Sequence, residues 1–119
     1  MGTRSRVGIL NKTGNTIDSI YIHWDGYIEG VGQFLLDELT NEEDIRKYIS
    51  EGDRSSVNQS YKEWRDEDVP SINHPTKYWP DCGQEYEYYF AENTWYVREL
   101  YGKDTWLKLE NELKKVLDK

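Results

Sequence analysis

Seven consecutive residues, Tyr21-Ile22-His23-Trp24-Asp25-Gly26-Tyr27, hold the densest run of chemically capable side chains in the sequence. Four rings and one carboxylate meet beside a glycine, whose missing Cβ lets a ligand or another backbone come close. Trp and Tyr faces stack on planar groups, and the N-terminus of a following helix would offer free N–H groups to an anion. A purely structural interpretation competes with this one. It places Trp24 and Tyr27 in the core, His23 on the surface, and Asp25 as a helix cap.

Other residues join the motif if the chain folds back on itself. Arg4 and Arg6 precede a first strand, and a hairpin around Gly14-Asn15 returns the second strand to their side. Trp64 and Trp79 lie in a long polar stretch, residues 53–82, which also carries all three prolines. The expected ligand-binding surface is therefore Arg4, Arg6, Tyr21, His23, Trp24, Asp25, Tyr27, Trp64 and Trp79. Rings would stack a base, and the arginines with backbone N–H groups would hold phosphates.

Catalytic signatures are weak by comparison. Cys82 is the single cysteine and has no nucleophile motif around it, and no glycine-flanked serine elbow is present. His23, Asp25 and His74 lack the close spacing that specifies a metal. The triplet Asp66-Glu67-Asp68 does not follow the EF-hand pattern. No catalytic residue, metal or cofactor is expected.

Positioning these residues takes one small domain, 1–119, since the chain has 119 residues. A single cysteine excludes an intrachain disulfide, and no run is long enough to span a membrane. A cytoplasmic location, with no leader segment, is the expectation. The net charge of −8 is concentrated: residues 13–53 carry ten acids against Arg46 and Lys47. Such a surface argues against direct nucleic-acid binding, which depends on neutralising phosphates. It suits either solubility or a basic protein partner.

Alternation predicts a hairpin over 5–24, with Val7 and Ile9 on one face and Ile20, Ile22 and Trp24 on one face of the returning strand. A 3.6-residue stripe through Ile28, Val31, Leu35 and Leu39 predicts a helix over 27–39. Its Gly30 and Gly32 imply a close approach there. Thr40-Asn41-Glu42-Glu43 reads as a capping box for a helix over 41–51. Residues 53–82 read as a long irregular loop, 85–101 as a second hairpin, and 104–117 as a last helix with Trp106, Leu109, Leu113 and Val116 inward. The expected fold is α+β, in the order ββαα-loop-ββα. Two hairpins would make a small antiparallel sheet with helices on one face.

The segments Thr3-Arg4-Ser5, Val7-Gly8-Ile9, Tyr21-x-His23-Trp24-Asp25-Gly26-Tyr27 and Gly32 with Leu35-Leu36 resemble a family of small phage and prophage accessory proteins. That family carries a T-R-S-x-I-G-I start and a Y-C-H-W-D-G-Y motif, with Ile22 here replacing the cysteine. The resemblance covers residues 3–36 well and Tyr86–Tyr101 more loosely. It implies a mobile-element origin and a host-cell cytoplasmic setting, and it transfers no activity to these residues. The leading expectation is a non-catalytic counter-defence protein that sequesters a nucleotide-like immune signal. The alternatives are an acidic inhibitor of a host defence protein and a small nucleotide hydrolase acting through His23 and Asp25. Homo-oligomerisation fits each, because sheet edges and surplus aromatics need cover.

Overall fold

The computed structural model describes residues 3–57, 59–60, 72–75, 79, 83–100 and 105–118, with backbone alone at 59–60 and 72–74. Strands β1 (Ser5–Leu10) and β2 (Thr16–Ile22) form the first hairpin. Gly14 takes a φ of +78° in its turn, and Asn11 Nδ2 donates to Thr16 Oγ1 at 2.8 Å across its mouth. Val7 pairs with Ile20 and Ser5 with Ile22, so Val7, Ile9, Ile20 and Ile22 share one face, while Leu10 and its partner Ile17 lie on the other.

The next helical segment opens as a π-helical turn, Ile28–Gly32, and becomes α1 (Gln33–Glu38). Gly30 shows why: a Cβ there would lie 2.3 Å from the Asp25 carbonyl oxygen, which accepts the Val31 N–H at 2.8 Å. The close approach that the glycines imply comes from the protein's own chain. Helix α2 (Glu42–Ser50) is capped by Asn41, not by the Thr40–Glu43 box. Asn41 is the residue with extended backbone at that point, and its Oδ1 accepts from Asp44 N at 2.9 Å.

Within 53–82 the chain is more regular than expected. It supplies β3 (Arg54–Ser56), β4 (Gln59–Ser60) and β5 (Ile72–Pro75). The second hairpin follows as β6 (Tyr86–Ala91) and β7 (Thr94–Glu99), with Glu92 and Asn93 both at positive φ in its tight turn. A short β8 (Leu107–Lys108) leads into α3 (Leu109–Leu117). The last helix thus starts later than the stripe through Trp106 suggests.

The eight strands form one mixed sheet in the order β4-β3-β2-β1-β6-β7-β8, with β5 also on β2. The two hairpins join through a parallel pairing of β1 with β6, so the all-antiparallel expectation is corrected. The outer edge of β2 is shared, Ile22 pairing with Arg54 and Thr16–Ser19 with β5. One face of the sheet packs against the helices. Val7, Ile9, Ile20, Ile22, Tyr88, Phe90 and Val97 meet Val31, Leu35, Ile45, Ile49 and Leu109 in a single core. Among the described residues, no helix is long and apolar enough to cross a membrane.

Candidate functional site

The fold separates two ring clusters. The first is the junction between β2 and the π-helical turn, where the seven-residue motif lies. Tyr21 Oη and His23 Nδ1 are 2.8 Å apart, and the His23 ring meets the Trp24 ring edge-on at 4.7 Å between centroids. Trp24 is 43% exposed and Tyr27 36%, so neither is the core residue that the structural interpretation required. Asp25 sits in the left-handed region at φ 58°, a conformation that Asp tolerates, and its Oδ1 accepts from Tyr27 Oη at 3.2 Å.

Four backbone contacts lock this junction. His23 N donates to Arg54 O, Trp24 N to Ser55 O, and Gly26 N to Thr3 O at 2.8 Å. Tyr88, buried on the central strand β6, donates through its Oη to Gly26 O at 2.6 Å. A Cβ on Gly26 would come within 2.8 Å of Thr3 O, so this glycine is required by the protein's own packing. Asp25 and Gly26 are thus explained by chain geometry, whereas the exposure of Trp24 and Tyr27 is not.

The electrostatics of the junction are acidic. Asp25 and Glu29 are exposed, and Asp25 first among them raises the Tyr27 phenol above its ordinary value. The arginines do not offset this as expected. Arg6 is fully buried, donating from Nε and Nη2 to Ser19 Oγ at 3.1 and 3.0 Å. It cannot meet a phosphate at the surface, which corrects its expected role. The burial follows from parity: Arg6 points to the sheet face opposite Val7, where Ser19 is its neighbour. Arg4 is half-buried, and its Nη1 lies 2.7 Å from where a Cβ on Gly83 would be.

The second cluster occupies that opposite face. Arg6, Glu87 and Arg98 form one row across β1, β6 and β7, of alternating charge. Arg98 donates to the Glu87 carboxylate, its Nε at 3.0 Å, and Gln84 Nε2 donates to Glu87 Oε2 at 2.9 Å. Asp53 accepts from Tyr21 N at 2.9 Å. Burial pushes its carboxyl up, against the opposing pull of that hydrogen bond and of the Arg6 guanidinium.

Toward the hairpin turn this charged row gives way to rings. Tyr89 stacks on Tyr96 at 5.0 Å, and Trp106 meets Tyr89 edge-on at 4.6 Å and lies 5.5 Å from Trp79. Arg98 sits over the Trp106 ring at 4.6 Å, which ties the charged row to the rings. Leu10, Gly14, Ile17, Trp79, Tyr89 and Trp106 line a cleft of about 320 Å³. Leu10 and Ile17 give this cleft an aliphatic side, and Trp79, Tyr89 and Trp106 give it ring walls.

The sequence-predicted residues therefore divide. Tyr21, His23, Trp24, Asp25 and Tyr27 gather at the Ser5–Ile22 end of the hairpin, together with Arg4. Trp79 lies at its Leu10–Ile17 end, one strand length away, roughly 20 Å at ~3.4 Å per residue. Trp64, Cys82 and the Asp66–Asp68 triplet lie outside the described residues, as does the side chain of His74. Tyr89, Tyr96, Trp106 and Arg98 went unrecognised from sequence. Their signal was the strand Tyr86–Ala91, in which large side chains occupy both alternating positions and so mark a sheet covered on two faces. The hydrogen bonds of His23 and Asp25 go to Tyr21 and Tyr27 respectively, and give the hydrolase reading no support. No family model, curated protein or solved structure matches this chain.

Proposed function

We propose that this chain is a non-catalytic binding protein, of the kind phages carry against host defence, and that it sequesters a nucleotide-like ligand by its base. The observation that supports this most is the cleft walled by Trp79, Tyr89 and Trp106. All three rings are partly exposed, and each base–ring stack contributes roughly 1–3 kcal/mol regardless of base identity. The mobile-element setting rests on the motif resemblance alone. Arg6, buried and bonded to Ser19, takes no part in holding the phosphates of such a ligand.

The test is native mass spectrometry of protein purified from cells, followed by chromatography of ligand released by heat. The expected result is a retained, intact nucleotide-like molecule, and the same spectrum gives the oligomeric state. Cleaved products appearing consistently would overturn the non-catalytic reading. A panel of nucleosides and nucleotides that neither co-purifies nor shifts the melting temperature would overturn the ligand class.

A further inference from the structure

We propose that the β2–π-turn junction is a docking surface for an arginine side chain of a basic protein partner. It is independent of the nucleotide reading, because the cleft lies at the other end of the hairpin. Three observations carry it.

The first is where apolar surface is left uncovered. Among the described residues the large hydrophobics left exposed are Trp24, Tyr27 and Leu117, and two of those three fall within four consecutive positions. Their exposure is not the looseness of a chain end. Hydrogen bonds to Ser55, Thr3 and the buried Tyr88 hold the backbone on either side, and Gly30 has no room for a side chain. A pre-organised pair of exposed rings loses little freedom when something binds.

The second is the sign of the charge around the rings. Asp25 and Glu29 stand exposed beside Trp24 and Tyr27, while of the arginines at this end Arg6 and Arg54 are buried, bonded to Ser19 and to Glu51, and Arg4 is half-buried against Gly83. Ring faces carry a negative quadrupole, and carboxylates add to it, so the surface favours a cation and disfavours a phosphate. A guanidinium matches both parts at once, stacking flat on a ring while its edge donates to a carboxylate, which a lysine ammonium does less well.

The third is the extent of the negative surface. Tyr86 pairs with Ser5 and Glu99 at this same end of the sheet, and after burial itself Glu99, Glu29 and Glu85 raise its phenol above the ordinary value; Glu99 is exposed and Glu85 half-buried. Carboxylates on both sides of the junction would steer a basic protein to it, with Trp24 and Tyr27 as the anchor.

The experiment is calorimetric titration of the full chain with a blocked Arg–Gly repeat peptide, with Lys–Gly and Glu–Gly repeats as controls. The proposal expects the Arg–Gly peptide to bind tightest and the Glu–Gly peptide to give no heat. Trp24→Ala should weaken Arg–Gly binding about 2- to 30-fold. Asp25→Asn keeps the left-handed backbone, since Asn also adopts it, and should weaken binding while flattening its salt dependence, as should Glu29→Gln. Melting temperatures identify a variant that fails to fold; if Trp24→Ala does, Tyr27→Ala takes its place. Several outcomes would each overturn the proposal: no binding of Arg–Gly by the wild type, equal binding of Glu–Gly, or affinity unchanged in Asp25→Asn and Glu29→Gln. So would loss of nucleotide binding in Trp24→Ala, which would assign the junction to the small ligand instead.

Discussion

The junction and the opposite-face cleft are both rich in rings, yet they are built in opposite ways. At the junction the backbone is fixed and the side chains are left out: Trp24 and Tyr27 project from a turn whose N–H and C=O groups are tied down. In the cleft the rings touch one another and border a charged row, buried Arg6 and Glu87 with half-buried Arg98, whose guanidinium lies over Trp106. The same residue type thus serves two ends. On the proposed readings, rings braced by each other would wall a flat ligand, and exposed rings beside carboxylates would anchor a cation.

The largest effect should fall on the charged row beside the cleft. Glu87→Ala leaves the Arg98 guanidinium without its carboxylate and removes the acceptor of Gln84, and breaking a buried pair costs about 3–5 kcal/mol. Urea unfolding measures the loss, and a change under about 1 kcal/mol would detach the charged row from the stability of that face.

On the junction side, Gly30→Ala forces a Cβ against the Asp25 carbonyl oxygen and should cost about 1–3 kcal/mol, read as a lowered melting temperature. A neutral result would mean that the turn is not locked, and the contrast between fixed backbone and free rings would fail.

Alkaline pH probes the tie between junction and core. Burial raises the phenols of Tyr48 and Tyr88, and Tyr88 donates to Gly26 only while protonated. The unfolded chain ionises its tyrosines near pH ~10. Because the folded values lie higher, their contribution is complete below that pH and is lost as pH rises above it. Tyrosinate absorbance and loss of structure should therefore rise together above pH ~10. Full ionisation of every tyrosine in a still-folded protein would contradict the burial of this pair.

The smallest effect is expected at Asp25. Asp25→Asn should change stability by no more than about 0.5 kcal/mol, since the left-handed backbone is kept, whereas Asp25→Ala should cost more. Equal losses in both would mean that the carboxylate itself holds the turn together.

Local signals carried much of this architecture. Alternation in Val7–Ile9 and Ile20–Ile22 gave the first hairpin, and the glycines at 30 and 32 flagged a close approach that Asp25 and Leu109 make. The pairing of β1 with β6 left no local trace, because a parallel contact between distant segments depends on neither turn chemistry nor spacing. Arg6 was misread for a related reason. An arginine alternating with Val7 reads as solvent-facing unless something covers the second face, and that cover comes from distant parts of the chain. Trp106 fits the helical stripe of Leu109, Leu113 and Val116, and only the pairing of Leu107–Lys108 with β7 takes it out of the helix and onto Tyr89.

The division of labour is tested most directly by titrating a panel of nucleoside monophosphates into three proteins side by side: wild type, Trp106→Ala and Trp24→Ala, each confirmed folded by its melting temperature. The account predicts binding by the wild type, a loss of about 5- to 150-fold in Trp106→Ala from the missing ring, and unchanged affinity in Trp24→Ala. Affinity lost in Trp24→Ala and kept in Trp106→Ala would contradict it.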